Sequence, residues 1–197
     1  MTKDDIRNRI WDLLEKKNLV SFPRPCRGRI PNFVGSDRAG RRIRELDEFR
    51  KANCVFCAPD RVLKRIREIV LEEGKILAVA LPHMTGFLQI EERGRIDQAT
   101  TIKGFRQFGK PLQMKIDLFI QGSVAVDLRG NRLGKGKGYG DREWEYLKGQ
   151  GLIDGDEKTV TVVHEVQIVD DLSPLMEPWD KRIDFILTPK QVFACGK

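Results

Sequence analysis

Glycines at positions 134, 136, 138 and 140 alternate with Lys135, Lys137 and Tyr139, and the chemistry this spacing suits is phosphate binding. Glycines let a backbone turn tightly and bring several N–H groups against one anion. Lys135 and Lys137 add charge-assisted hydrogen bonds, and Arg132 and Gly134 lead into the turn. A helical pattern begins at Tyr139 or Asp141 and runs to Lys148, and a helix N-terminus favours an anion. The carboxylate of Asp141 suits magnesium. No Gly-Lys-Ser/Thr closes the segment and the dinucleotide spacing is not met, so it is neither of the common phosphate loops. A flexible basic surface turn is the other reading of the same composition.

The elements that must position this loop can be read from periodicity. Ile6, Ile10, Leu13 and Leu14 predict a first helix of about four turns, capped by Thr2 with Asp4 and Asp5 at its positive end. The stretch from Ser21 to Gly35 is too rich in Pro, Gly and Arg to be regular. Ser36 is expected to cap a second helix that turns Ile43, Leu46 and Phe49 inward. A strand around Val55 precedes Pro59-Asp60 and a helix carrying Val62, Leu63, Ile66, Ile69 and Val70, which Gly74 ends. Apolar strands follow at 76–81, 118–126, 160–164 and 183–187. Continuous apolar runs separated by amphipathic helices predict an α/β fold with a largely parallel sheet covered on both faces. With no repeat or linker in 197 residues, one domain spanning 1–197 is expected.

Composition narrows the classes. Hydrophobic residues make up 40% and charged residues 33% of the chain, with a net charge of +7. That balance excludes a disordered chain, and no apolar run approaches the roughly 20 residues of a membrane span. The charged start, Met-Thr-Lys-Asp-Asp, predicts no signal peptide, and hence a cytoplasmic protein. The positive charge points to an anionic partner. Cys54 and Cys57 lie three apart in a strand and so on opposite faces, which predicts buried structural thiols rather than a metal pair. His83, just past the end of an apolar strand, holds a plausible ligand-facing position, but it and His164, which ends another strand, are read as structural, and Trp11, Trp144 and Trp179 as packing residues.

The segment Gly130-Asn131-Arg132-Leu133-Gly134-Lys135-Gly136-Lys137-Gly138-Tyr139, with Asp141 beyond it, resembles the signature of the 5-formyltetrahydrofolate cyclo-ligase family, also called methenyltetrahydrofolate synthetase. Lys3 and Arg7 match the Lys and Arg that this family carries four residues apart on its N-terminal helix. The 183–189 segment is similar to its closing strand. Phe22-Pro23-Arg24-Pro25, Arg29-Ile30-Pro31-Asn32-Phe33 and Val163-His164-Glu165 look closer to the domain-containing branch, whose animal members add an RNA-recognition module for which these residues leave no room.

The resemblance implies a three-layer α/β/α sandwich and an ATP- and Mg2+-dependent cyclisation of 5-formyltetrahydrofolate, or of a related pterin. It implies that Lys3, Arg7, Arg132, Gly134, Lys135, Gly136, Lys137, Gly138 and Tyr139 hold the nucleotide. Lys135, Lys137 and Tyr139 would serve the chemistry, and Asp141 the metal. The chain departs from the pattern at Gly140, where the family has a second Tyr, and at Lys135, where Arg is usual. The acidic residue that contacts folate and the Glu-Pro segment before the central strand have no evident counterpart. A non-catalytic nucleotide- or RNA-binding protein on the same fold is the alternative, with the basic segment from Arg24 to Arg44 supplying phosphate contacts.

Overall fold

The computed structural model describes residues 1–196. Helix α1 (Lys3–Lys16) starts in a capping box. The Thr2 hydroxyl accepts from the Asp5 amide while the Asp5 carboxylate accepts from the Thr2 amide, which satisfies donors the helix itself leaves open. The next segment differs from expectation. Gly35, left-handed at φ 92°, caps α2 (Ser36–Arg41), and Ser36 is the first helical residue without a side-chain cap. The helix is also interrupted. A 3-10 turn and an extended Leu46 separate α2 from α3 (Asp47–Lys51), and Ile43, Leu46 and Phe49 are nevertheless all buried.

The chain then alternates: β1 (Cys54–Cys57), α4 (Lys64–Glu72), β2 (Ile76–Ala80), β3 (Phe87–Ile90), α5 (Ile96–Ala99), α6 (Ile102–Phe108), β4 (Lys110–Pro111) and β5 (Leu118–Gly122). A hairpin, β6 (Ala125–Val126) with β7 (Arg132–Leu133), precedes α7 (Tyr139–Gly149), β8 (Lys158–Val162), β9 (Phe185–Leu187) and β10 (Val192–Ala194). The main sheet has the order β10-β9-β8-β5-β1-β2-β3-β4. Its five central strands, from β9 to β2, run parallel, and antiparallel pairs close both edges.

Helices cover both faces. Phe56 and Phe119 are paired in register and stacked at 4.2 Å, and Trp144 of α7 packs edge-on against Phe119. Cys57 points to the other face, where its thiol meets the Leu63 carbonyl at the start of α4. This is the three-layer α/β/α sandwich expected. Cys54 and Cys57 are fully buried, and burial pushes both thiols up to about 12.

The expected strand 118–126 is two strands of different sheets. It breaks after Gly122, where a Cβ would stand 2.6 Å from Ile30 and 2.8 Å from an Asp60 carboxylate oxygen. Beyond the break the buried Asp127 carboxylate accepts from the amides of Arg129, Asn131 and Leu172 and from the Asn131 side chain. That network sets the β6–β7 turn and thereby aims the glycine loop.

The order in which successive strands are added reverses between β1 and β5. From β1 the chain steps to β2; from β5 it steps the other way, to β8 and β9. Right-handed crossovers then place α4 and α7 on opposite faces, and a crevice opens at the carboxyl ends of β1 and β5. Asp60 follows β1 into this crevice. The turn that carries it is held by the buried Arg67, which donates to the carbonyls of Ala58 (2.6 Å), Asp60 (3.0 Å) and Thr100 (3.1 Å). Arg67→Met strands these acceptors and is expected to cost about 2–4 kcal/mol. Urea unfolding checks it; a loss within about 0.5 kcal/mol would show that the turn holds without the guanidinium.

Candidate functional site

The crevice widens into a cavity of about 750 Å3. Lys3 and Arg7 of α1, Arg132 of β7, the whole glycine loop from Gly134 to Gly138, and Tyr139, Gly140 and Asp141 at the start of α7 line it. Every residue assigned to the site from sequence therefore faces one space. The loop is shaped by left-handed glycines, Gly136 at φ 93° and Gly138 at φ 65°, and Gly138 caps α7 without a side chain. The first amides of α7 are thus left for a ligand.

The cations divide into two kinds. Arg7 donates from Nε to the Gly134 carbonyl at 2.7 Å and from its guanidinium to Asp4, so it clamps α1 onto the loop. Lys3 pairs with Asp180 at 2.6 Å. Among the described residues, Lys135 and Lys137 have no carboxylate partner, and Lys137 is exposed. The loop lysines are therefore available to an incoming phosphate, while Lys3 and Arg7 are already engaged.

Asp141 accepts on one oxygen from Arg132 and from the Lys181 amide, both at 3.2 Å. Magnesium in phosphate sites is held by one or two carboxylates with the phosphates and water, and the second Asp141 oxygen carries no hydrogen bond among the described residues. The donor set fits such an ion bound with its nucleotide; no group of three or more His, Cys, Asp or Glu able to hold a metal by itself occurs among the described residues.

Two residues for which the sequence favoured structural roles line the cavity. His83, taken as structural, lies on a loop where His83 and Met84 both adopt left-handed backbone, φ 58° and 57°. Its Nδ1 lies 2.9 Å from the Tyr139 hydroxyl across the cavity. Trp179, taken as packing, is 69% exposed at the rim, whereas Trp11 and Trp144 are buried as expected. His164 lies away from the cavity; its Nδ1 accepts from the Val166 amide and caps a 3-10 turn.

Two carboxylates were missed altogether. Asp60 and Glu143 both line the cavity, and no hydrogen bond to either carboxylate occurs among the described residues. Burial raises Asp60 above the usual carboxylate range, against the pull of Lys135, Arg67 and Arg132. Burial, then the Asp60 charge, pushes Glu143 up to about 8. Signals for both existed. Asp60 follows the carboxyl end of a parallel strand, the usual ligand side. Glu143 occupies a core-facing helix position, one turn after Tyr139 and one before the buried Leu147.

The missing second aromatic at Gly140 also has a local cause. A Cβ there would stand 3.0 Å from Gln121 Nε2 and 3.0 Å from an Arg132 nitrogen. Gln121 donates to the Gly140 carbonyl at 2.9 Å, and Arg132 donates to the Gly122 carbonyl at 3.2 Å. This wall of the cavity is polar where an aromatic ring would have made it flat.

The 5-formyltetrahydrofolate cyclo-ligase family model matches residues 1–189. The chain belongs to that family. It is 38% identical over 207 residues to the human methenyltetrahydrofolate synthase domain-containing protein, covering 100% of this chain and 54% of that protein. The Danio rerio protein of the same name is 33% identical, covering 97% and 53%. The chain thus spans about half the length of the curated relatives it matches. Among solved structures, the Aquifex aeolicus 5,10-methenyltetrahydrofolate synthetase superposes with a TM-score of 0.63 at 22% identity, covering 100% of this chain and 94% of that one. The Mycoplasma pneumoniae 5,10-methenyltetrahydrofolate synthetase gives 0.56 at 16%, covering 95% and 98%. At those identities the likeness is one of fold.

Of the cations in the 24–44 segment, Arg24, Arg27, Arg42 and Arg44 are each engaged by carboxylates, so much of its charge is already neutralised. No helix of the described residues is long and apolar enough to cross a membrane.

The raised Glu143 makes stability depend on pH. An unfolded chain releases this proton near the ordinary 4.5, the folded protein only near 8, so the folded state loses stability as pH rises between the two. Asp60, also raised, acts in the same direction. Glu143→Gln removes one such group. Its unfolding free energy, measured by urea titration, is expected to fall less than the wild type's between pH 5 and pH 9, a difference on the order of a few kcal/mol. Parallel curves would mean that Glu143 ionises as freely as a surface carboxylate.

Proposed function

We propose that this chain catalyses the ATP- and magnesium-dependent cyclisation of 5-formyltetrahydrofolate, or of a closely related formylated pterin, to the methenyl form. The observation that carries the reading is the polarity of one cavity. An open helix N-terminus and two lysines without a carboxylate partner among the described residues lie on its phosphate side, and the half-buried Asp60 and buried Glu143, with no hydrogen bond to either carboxylate among the described residues, line the same cavity. Membership of the cyclo-ligase family, a family of ATP-dependent ligases, supports the substrate pair.

The reaction asks for those features. The formyl oxygen attacks the terminal phosphorus of ATP, and ADP leaves with the bond's electron pair. The neighbouring nitrogen then adds to the activated carbon and gives up its proton, and the C–O bond breaks to release phosphate. The former formyl oxygen leaves on that phosphate, and the ring product carries a positive charge. The amides of Gly136 and Gly138 with Lys135 and Lys137 would neutralise the phosphates and hold them in line. Arg7 would act by holding the loop against α1, Lys3 by position at the rim, and Arg132 by orienting Asp141. Asp141 would bind magnesium, which screens the charge of the phosphates. Tyr139, fixed by His83, would line the nucleotide. Asp60 would face the cation that develops on ring closure.

The purified protein mixed with 5-formyltetrahydrofolate and magnesium-ATP is expected to show an ATP-dependent rise in the near-ultraviolet absorption of the methenyl product. Lys135→Met should lower kcat/KM about 100-fold or more with the fold intact. No rise with the wild type, under conditions where magnesium-ATP binds by calorimetry, would remove the cyclisation.

A further inference from the structure

Trp179 is 69% exposed, while Trp11 and Trp144 are buried. Single apolar side chains are ordinary on a protein surface; what sets Trp179 apart is where and how it is held. The Asp180 amide donates to the Glu177 carbonyl at 3.0 Å, and the Asp180 carboxylate accepts from the Glu177 amide at 2.9 Å, which closes a turn over 177–180. The same carboxylate takes Lys3 at 2.6 Å. Next in the chain, the Lys181 amide donates to Asp141 at 3.2 Å, and the Lys181 ammonium lies 3.7 Å from the centroid of the Trp144 ring. The turn is thus tied to α1 on one side and to α7 on the other, and it holds the indole at the mouth of the cavity.

We propose that the Trp179 indole stacks on the base of the nucleotide whose phosphates the glycine loop takes, and so selects a purine triphosphate as phosphoryl donor. This rests on the cyclisation reading for the presence of a nucleotide. Two aromatic groups of the substrates compete for such a rim, the nucleobase and the aminobenzoyl ring of the folate, and topology separates them. β2 and β9 lie on opposite sides of the β1–β5 pair. Leu81 and Pro82 after β2, with Ile102 of α6, make one rim apolar. The turn at 177–180, which leads toward β9, makes the other rim, tied to Lys3 and next to Asp141. The terminal phosphate must touch the formyl group, so the pterin lies inward of the phosphates and the base outward. A polyphosphate that runs outward past Asp141 and Lys3 brings its base to Trp179, and the aminobenzoyl ring is left the apolar rim.

A stack asks only for a flat ring held in place. Base–aromatic stacking accepts any base because each has a π-face, and a purine covers more of an indole than a pyrimidine does. The polar groups beside Trp179 do not read the edge of the base, since Asp180 and Lys3 are spent on each other. Selection at this rim is therefore by ring size.

The test is calorimetric binding of magnesium-ATP, magnesium-CTP, magnesium tripolyphosphate and 5-formyltetrahydrofolate to wild type, Trp179→Ala and Trp179→Phe. Tripolyphosphate carries the charge without the base and reads the phosphate side alone. Trp179→Ala is expected to weaken magnesium-ATP about tenfold or more and magnesium-CTP less, with tripolyphosphate and folate changed by less than about twofold. Trp179→Phe, which keeps a flat ring, retains most of the ATP affinity. Indole emission gives a second reading, because the other two tryptophans are buried. Emission falls on adding magnesium-ATP but not tripolyphosphate, and the fall is absent in Trp179→Phe. Wild-type ATP affinity in Trp179→Ala overturns the proposal. So does an equal loss for tripolyphosphate, which would make the residue a prop for the Lys3–Asp180 pair, and so does a loss confined to folate, which would put the aminobenzoyl ring there.

Turnover measured alongside separates the two readings. Methenyl product with no Trp179 signature sinks this inference and leaves the cyclisation standing. The Trp179 signature on magnesium-ATP without product does the reverse, and no magnesium-ATP binding removes both.

Discussion

The reversal of strand order between β1 and β5, two parallel neighbours, is the constraint on which the rest of the molecule depends. Because each parallel crossover is right-handed, stepping away from this pair in both directions forces α4 and α7 onto opposite faces. Nothing then covers the carboxyl ends of β1 and β5. The backbone there ends in unpaired groups and positive helix starts, so a cavity at this place binds anions before any side chain is chosen.

Side chains then divide the cavity into two halves with opposite electrostatic demands. On the phosphate side the sequence removes bulk: glycines shape the loop, and Arg7 is held in fixed contact with Gly134, tying the first helix to it. The helix is not a free arm carrying charges into solvent, because two of its cations are spent on protein partners. On the other side the sequence sets acid, with Glu143 buried and Asp60 half-buried. Asp60 and Glu143 sit close enough that the Asp60 charge helps raise Glu143, an arrangement that costs stability and is usual where a ligand restores the balance. Gly122 belongs to this design, since any side chain there would displace the Asp60 carboxylate or Ile30.

The departure at Gly140 shows how local packing explains an apparent loss. As sequence, Gly140 reads as a missing wall. In the fold the space is filled: Gln121 and Arg132 close to within 3.0 Å of where a Cβ would stand. The polar wall is built from β5, β7 and α7, elements that are distant in sequence.

By itself the sequence determined the layer architecture, the parallel centre of the sheet, the capped first helix and the phosphate loop. These rest on local signals: hydrophobic period, glycine conformational freedom and the charge preference of a helix end, each contained in a short window of chain. It also placed Lys3, Arg7, Arg132 and Asp141 around one site, but through a family resemblance rather than through spacing. Only the tertiary structure decided how those residues are employed, because an ion pair such as Lys3–Asp180 joins positions 177 residues apart. It alone broke 118–126 into two strands, since the clash at Gly122 comes from Ile30 and Asp60, and it moved His83 and Trp179 from packing to the cavity. Above all it made acids of Asp60 and Glu143. A carboxylate in a sequence carries no sign of its desolvation, which is a property of everything packed around it.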